Sequence, residues 1–191
     1  DKLYKHYPWC EHVYIPHGFS PDEFEDFGED RDSRILSVIS KFFERREILG
    51  YYNWQKVSNL TGLVDLYGHG NEDLEESMGS ASSFINLIWL YNSYKVFLNS
   101  TIESAMPRSR GEAMMCGMPV VTTSYYDISD YIVHGENGFL ADDYYDMIKF
   151  SKKIISDKSC FDQISKASRE TAIEHFNIET YLKKYKEIFS S

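Results

Sequence analysis

Lys41, Arg45 and Arg46 put three cations within six residues of an acidic sequence. The chemistry open to such a cluster is to clamp an anion. The first turn of a helix disfavours cations, because its free N–H groups already carry positive partial charge. Crowding them there calls for a reason, and a bound phosphate is one. The plainer alternative is a solvated first turn with its charges in water. A second cluster reads Pro107-Arg108-Ser109-Arg110-Gly111-Glu112. Proline opens a helix, and the unpaired amides at a helix start attract an anion. Arg108 and Arg110 there suit phosphate or carboxylate. The Glu112 carboxylate, a turn further in, can accept hydrogen bonds from two neighbouring hydroxyls. The same spacing allows a purely structural Arg–Glu pair.

Several other chemistries lack their usual residues. No G-x-S-x-G, no Cys–His pairing and no H-E-x-x-H occurs. Neither G-x-x-x-x-G-K-[ST] nor G-x-G-x-x-G is present, so the usual loops of ATP cleavage and dinucleotide binding are missing. His17 beside Gly18, and His69 between Gly68 and Gly70, lie in turn-forming sequence. The three cysteines, Cys10, Cys116 and Cys160, have no zinc-ligand spacing, and suit a reducing, cytoplasmic setting. No metal and no cofactor is expected.

The elements that must position these residues read as alternating strands and helices. Strands are predicted over 34–40, 63–67, 94–98 and 118–123, each short, apolar and bounded by turn residues. A further short strand is possible over 12–16, and 24–32 reads as an acidic loop. Helical patterns cover 44–59, parts of 72–89, and 109–116, the last closed by Gly117 with Pro119 behind it. The final third is helical, with three apolar faces around Met147 to Ile155, Phe161 to Ala172 and Tyr181 to Phe189. This alternation predicts an α/β fold, a mostly parallel sheet with helices on both faces and a helical C-terminal tail. In such sheets ligands bind at the carboxyl ends of the strands. The loops after Ser40, Tyr67 (opening with Gly68), Leu98 and Thr123 are therefore the candidate site.

A chain of 191 residues can bury roughly two-thirds of its unfolded surface, enough for a core without staples. A net charge of −10 argues against nucleic acid or an anionic membrane as main partner. No apolar run approaches the ~18 residues needed to span a bilayer. The sequence opens on Asp1 without a methionine, and is read as a piece of a longer protein.

The stretch Glu112-Ala113-Met114-Met115-Cys116-Gly117-Met118-Pro119-Val120-Val121-Thr122-Thr123 resembles the E-A-M-A-C-G-x-P-V-V-x-T segment of group-1 nucleotide-sugar glycosyltransferases. These are retaining, glycogen-synthase-like enzymes of the GT-B fold. Ile132 to Leu140 resembles their I-x-x-G-x-N-G-x-L segment, and Ile15-Pro16-His17-Gly18-Phe19 their I-P-N-G-V linker. The resemblance covers nearly the whole chain. It implies one half of a GT-B fold, the donor-binding half, with the N-terminal domain missing. Residues 1–30 would be the linker and the end of that missing domain. Residues 31–158 would be the Rossmann-like donor domain, and 159–191 its C-terminal helices, possibly crossing back.

The implied activity is transfer of a sugar from a nucleoside diphosphate to an acceptor hydroxyl, with retention and without metal. The resemblance assigns the ribose to Glu112. Lys41, Arg45 and Arg46 lie where the family binds the diphosphate, and the helix start at Ser109 would face the phosphates; Arg108, Arg110 and Gly68 are further donor-binding candidates. It names neither a catalytic residue nor the acceptor. The family's first motif glutamate, eight positions before the second, is replaced by Ser104, with Glu103 beside it. The alternative reading is therefore a non-catalytic nucleotide-sugar-binding or regulatory domain.

Overall fold

The apolar run predicted over 34–40 is a strand, β1, over Asp32–Val38 in a computed structural model. The structure describes Trp9 and residues 13–104, 107–125, 128 and 130–190. Next come β2 (Val64–Tyr67), β3 (Tyr94–Asn99), β4 (Val120–Thr122) and β5 (Phe139–Leu140). They form one sheet in the order β2-β1-β3-β4-β5, with every pair parallel. The sequence reading missed β5, whose two residues are too few to show a period. β4 is shorter than expected. Pro119 has no N–H to offer the ladder, and contributes only its carbonyl, which accepts from the Phe97 amide at 2.9 Å. The possible strand over 12–16 does not form. His12 lies outside the described residues, and 13–18 are irregular.

Among the described residues there are seven helices: α1 (Arg46–Leu49), α2 (Tyr51–Thr61), α3 (Phe84–Ser93), α4 (Arg108–Met115), α5 (Tyr144–Ser156), α6 (Lys158–His175) and α7 (Ile178–Phe189). The single helix expected over 44–59 is broken in two at Gly50. There φ is +70°, and a Cβ would stand 1.9 Å from the Ser100 carbonyl oxygen. Only glycine admits both. The helical pattern over 72–89 begins late, at Phe84, where the Ser83 hydroxyl accepts the Asn86 amide at 3.1 Å. Before it, residues 76–78 cover the free edge of β2. The Leu66 amide donates to the Glu76 carbonyl at 3.1 Å, and the Met78 amide donates to the Leu66 carbonyl at 2.8 Å. An edge strand left bare would invite pairing with another chain.

Alternation along the strands sends successive side chains to opposite faces. Leu36, Phe97 and Val120 meet Phe19, Phe24, Tyr91, Met114 and Phe176 on one face. Ile35, Leu66, Val96, Leu98 and Val121 meet Phe42, Trp54, Met147 and Ile154 on the other. So α3, α4 and α6 cover one side, and α2 and α5 the other. Helix α6 is tied into the core by the Ser165 hydroxyl on the Gly117 carbonyl at 2.6 Å, and by Arg169 on the Met115 carbonyl. The amino-terminal segment joins it through Phe19. The Phe19 amide donates to the Phe176 carbonyl at 2.7 Å, and its carbonyl accepts from the Ile178 amide at 2.9 Å.

Helix α7 buries none of its side chains, and its Leu182, Tyr185 and Ile188 are exposed. No helix among the described residues is long and apolar enough to cross a membrane.

Candidate functional site

The chain leaves β1 toward β2 on one side, and β3 toward β4 on the other. This change of direction opens a crevice at the carboxyl ends of β1 and β3, the place where open parallel sheets bind ligands. A pocket of about 150 Å³ lies there, lined by Ile39, Ser40, Arg45, Leu49, Asn99, Thr101, Ser104, Pro107 and Ser109. Arg45 is the sole cation among these lining residues, and none of them is a carboxylate. One cation among hydroxyls and an amide makes a surface that can hold an anionic group with several donors.

The floor of the pocket is backbone held in an unusual shape. Lys41, next to the lining residue Ser40, has φ +53°, a left-handed conformation that non-glycine residues rarely adopt. Two loops lock it there. The Lys41 amide donates to the His69 carbonyl at 2.7 Å, and the Ile39 amide to the Tyr67 carbonyl at 2.8 Å. Asn71 completes the lock from a position 2% exposed. Its Nδ2 donates to the carbonyls of Ile39 at 2.7 Å and Gly68 at 3.0 Å, while its Oδ1 accepts the Phe42 amide at 2.8 Å. Gly68 serves the same purpose by absence, since a Cβ there would come within 2.2 Å of the Ile39 oxygen. The side chains of this loop diverge. Lys41 pairs with Glu44 at 3.3 Å in solvent. Arg46 lies over the Phe43 ring at 5.0 Å and reaches the Tyr52 hydroxyl at 3.2 Å.

Across the crevice stands the amino end of α4, which no side chain caps. Ser109 lines the pocket from it. Arg110 is buried in the first turn, whereas the Arg108 side chain is 63% exposed and lies over the Phe19 ring at 5.6 Å. Glu112, 8% exposed, accepts the hydroxyl proton of the buried Tyr91 on Oε2 at 2.8 Å. Its Oε1 lies 3.5 Å from the Arg108 guanidinium. His17 belongs to the same group. Burial, then the positive charge of Arg108, holds its imidazole below the ordinary value, against an opposing pull from Glu112. The structural Arg–Glu pair is thus present, on a carboxylate that is nearly buried.

A larger cavity, about 560 Å³, lies at the other end of the sheet, against Asp26, Arg31, Lys95, Lys158, Asp162 and Lys166. Arg31 pairs with Asp26 at 2.9 Å and Lys158 with Asp162 at 2.8 Å, so these charges answer one another. Among the described residues no three His, Cys, Asp or Glu side chains converge as metal ligands.

Residues 79–170 match the family described as glycosyl transferases group 1. That stretch, just under half of the chain, resembles a group-1 glycosyltransferase domain. The chain is 24% identical to a sucrose synthase of Daucus carota, over 80% of the chain and 24% of that protein. Sucrose-phosphate synthase from Thermosynechococcus elongatus superposes with a TM-score of 0.75 at 17% identity, over 99% of this chain and 56% of that one. An Anabaena protein, HepE, in complex with UDP and glucose, superposes at 0.74 and 16% identity, over 93% of this chain and 56% of that one. At these identities the structural likeness is one of fold, half of a GT-B fold. The chain spans about a quarter of the length of the sucrose synthases it matches.

Of the residues singled out in the sequence, the glycosyltransferase fold brings Arg45 and Ser109 into one pocket, and groups Arg108 with Glu112. Asn71 and Tyr91 were missed. Asn71 carried a signal, following Gly68-His69-Gly70 where an amide side chain often ties a turn. Tyr91 carried none, standing 21 residues from the carboxylate it meets.

Proposed function

We propose that this domain binds a nucleoside diphosphate sugar at the crevice between β1 and β3. Joined to an amino-terminal partner domain, it transfers the sugar to an acceptor hydroxyl with retention. The observation that carries the reading is the pocket in which Arg45 faces hydroxyls beside the uncapped start of α4. Arg45, Lys41, Ser109 and Arg108 answer to the diphosphate, and Glu112 to the ribose. Arg110 and Arg46 supply positive potential from the helix starts. Gly68 acts through backbone, by letting Ile39 close over the loop. As the bond to the sugar breaks, negative charge gathers on the departing diphosphate. Fixed cations and helix amides stabilise that charge more than they stabilise the ground state. This chemistry asks for no metal or cofactor.

The same reading takes residues 1–30 as linker, 31–158 as the donor domain and 159–191 as its closing helices. The uncovered apolar face of α7 supports a missing domain that packs there. The described cysteines, Cys116 and Cys160, are free thiols, which suits a reducing cytoplasm. Ser104, standing where the family has its first glutamate, favours a second reading, a domain that binds nucleotide sugar without catalysing transfer. Product formation by the full-length protein decides between them.

A thermal-shift panel of UDP, GDP and ADP sugars tests the binding. A ligand at ~100 times its Kd is expected to add roughly 2.7 kcal/mol of stability. The 191 residues alone are expected to transfer no sugar. No stabilisation by any of the three, or turnover by the chain alone, would sink the reading.

Arg45→Ala is expected to weaken nucleoside diphosphate binding about tenfold and to spare the nucleoside, since a hydrogen bond to a charged group contributes ~1.5–3 kcal/mol. Arg46→Ala, removing a side chain held by Tyr52 and Glu47, is the matched control and should change affinity far less. Calorimetric titration of both ligands against both variants checks this; equal losses in the two would contradict it.

A further inference from the structure

Tyr91 is fully buried on α3, its ring 6.1 Å from that of Phe97. Its hydroxyl donates to Glu112 Oε2 at 2.8 Å. Burial, and then the charge of Glu112, raises the phenol well above its ordinary value, so at neutral pH the group is a donor. The two oxygens of Glu112 therefore differ. Oε2 is fixed from below by a side chain packed into the core. Oε1 lies 3.5 Å from the long, exposed Arg108, with His17 in the same group. A glutamate has three rotatable side-chain bonds, and holding it in one geometry costs entropy at each binding event. A buried hydroxyl that fixes one oxygen meets that cost in advance.

We propose that Tyr91 is a positioning residue for sugar recognition. It sets the Glu112 carboxylate in the orientation that accepts from a vicinal diol, and so gives this site its preference for ribose over deoxyribose. The inference rests on the reading that Glu112 receives the ribose of a nucleotide. Arg108, largely exposed and seated only against the Phe19 ring, holds the other oxygen less firmly. Tyr91 also links α3 to α4, so the orientation of the carboxylate is set by the packing of two helices, not by its own turn.

The test is calorimetric titration of the chain with whichever of UDP, GDP and ADP binds best, with its 2′-deoxy form, and with inorganic pyrophosphate. The unaltered chain is expected to prefer the ribonucleotide, and Glu112→Gln to lose most of that preference. Tyr91→Phe keeps the ring and removes the donor. It should cut the preference about fivefold, the equivalent of one net hydrogen bond of roughly 1 kcal/mol, and leave pyrophosphate affinity unchanged. Tyr91→Met, also without a hydroxyl, is the second variant and should give the same ratio should the first fold poorly. A purely structural role would lower the melting temperature and leave the ratio alone. A full preference in the Tyr91 variants, with its loss in Glu112→Gln, overturns the inference and spares the reading of Glu112. A preference that survives Glu112→Gln, or is missing from the unaltered chain, overturns the reading and the inference with it. The same holds if none of the three nucleotides binds.

Discussion

Glu112→Gln is expected to weaken nucleoside diphosphate binding about tenfold while leaving the melting temperature nearly unchanged. A ligand hydrogen bond to a charged acceptor contributes roughly 1.5–3 kcal/mol against about 1 for a neutral one, and 1.4 kcal/mol is a factor of ten. Stability is spared because the amide oxygen of glutamine can still accept the Tyr91 proton. The Arg108 pair that it loses is 3.5 Å long with a largely exposed arginine, a class of contact worth little. Glu112→Ala is the contrast. It leaves the Tyr91 hydroxyl buried without its acceptor, and should cost about 1–3 kcal/mol of stability besides the affinity. Titrations of nucleoside and diphosphate, with melts alongside, separate the two. If Glu112 serves structure alone, the glutamine variant will bind as before and only the alanine variant will melt lower.

Asn71→Ala is expected to damage both the fold and the pocket, lowering stability by about 3 kcal/mol and diphosphate affinity several-fold. It strips partners from the Ile39 and Gly68 carbonyls and the Phe42 amide at once. Each buried group left unpaired costs roughly 1–3 kcal/mol, and the three share one loop, so they do not add fully. The loop released is the one that holds Lys41 at positive φ and leads to Arg45. Asn71→Asp should do no better, although it is the same size. Its carboxylate can still accept from Phe42, but turns an oxygen toward two carbonyl oxygens where a donor stood. Urea melts and diphosphate titration check both variants. A loss under about 1 kcal/mol in Asn71→Ala would mean that water replaces the side chain and the loop holds its shape unaided.

The strands show how far local pattern reaches. Short apolar runs bounded by turn residues were legible for β1 to β4, because a strand covered on both faces is mostly apolar. The two-residue β5 was not, since it exists only by pairing Phe139 and Leu140 with Val121 and Thr122. The break at Gly50 was equally hidden. The helical pattern runs through it, and what breaks the helix is the Ser100 carbonyl, a residue from another loop.

The same division holds at the site. Sequence alone determined the α/β alternation, the parallel sheet and, through the Glu112 to Thr123 stretch, the resemblance to group-1 glycosyltransferases. These depend on periodicity and on side-chain type, which are properties of neighbours along the chain. Tertiary structure alone decided that Arg45 and Ser109 share a pocket while Arg46 turns away to Tyr52. It decided that Asn71 locks the loop after β1, and that Glu112 is held by Tyr91. Each of those contacts joins residues brought together by the crossovers of the sheet. Burial then fixes the partners, because a polar group removed from water must be paired by whatever the packing sets beside it.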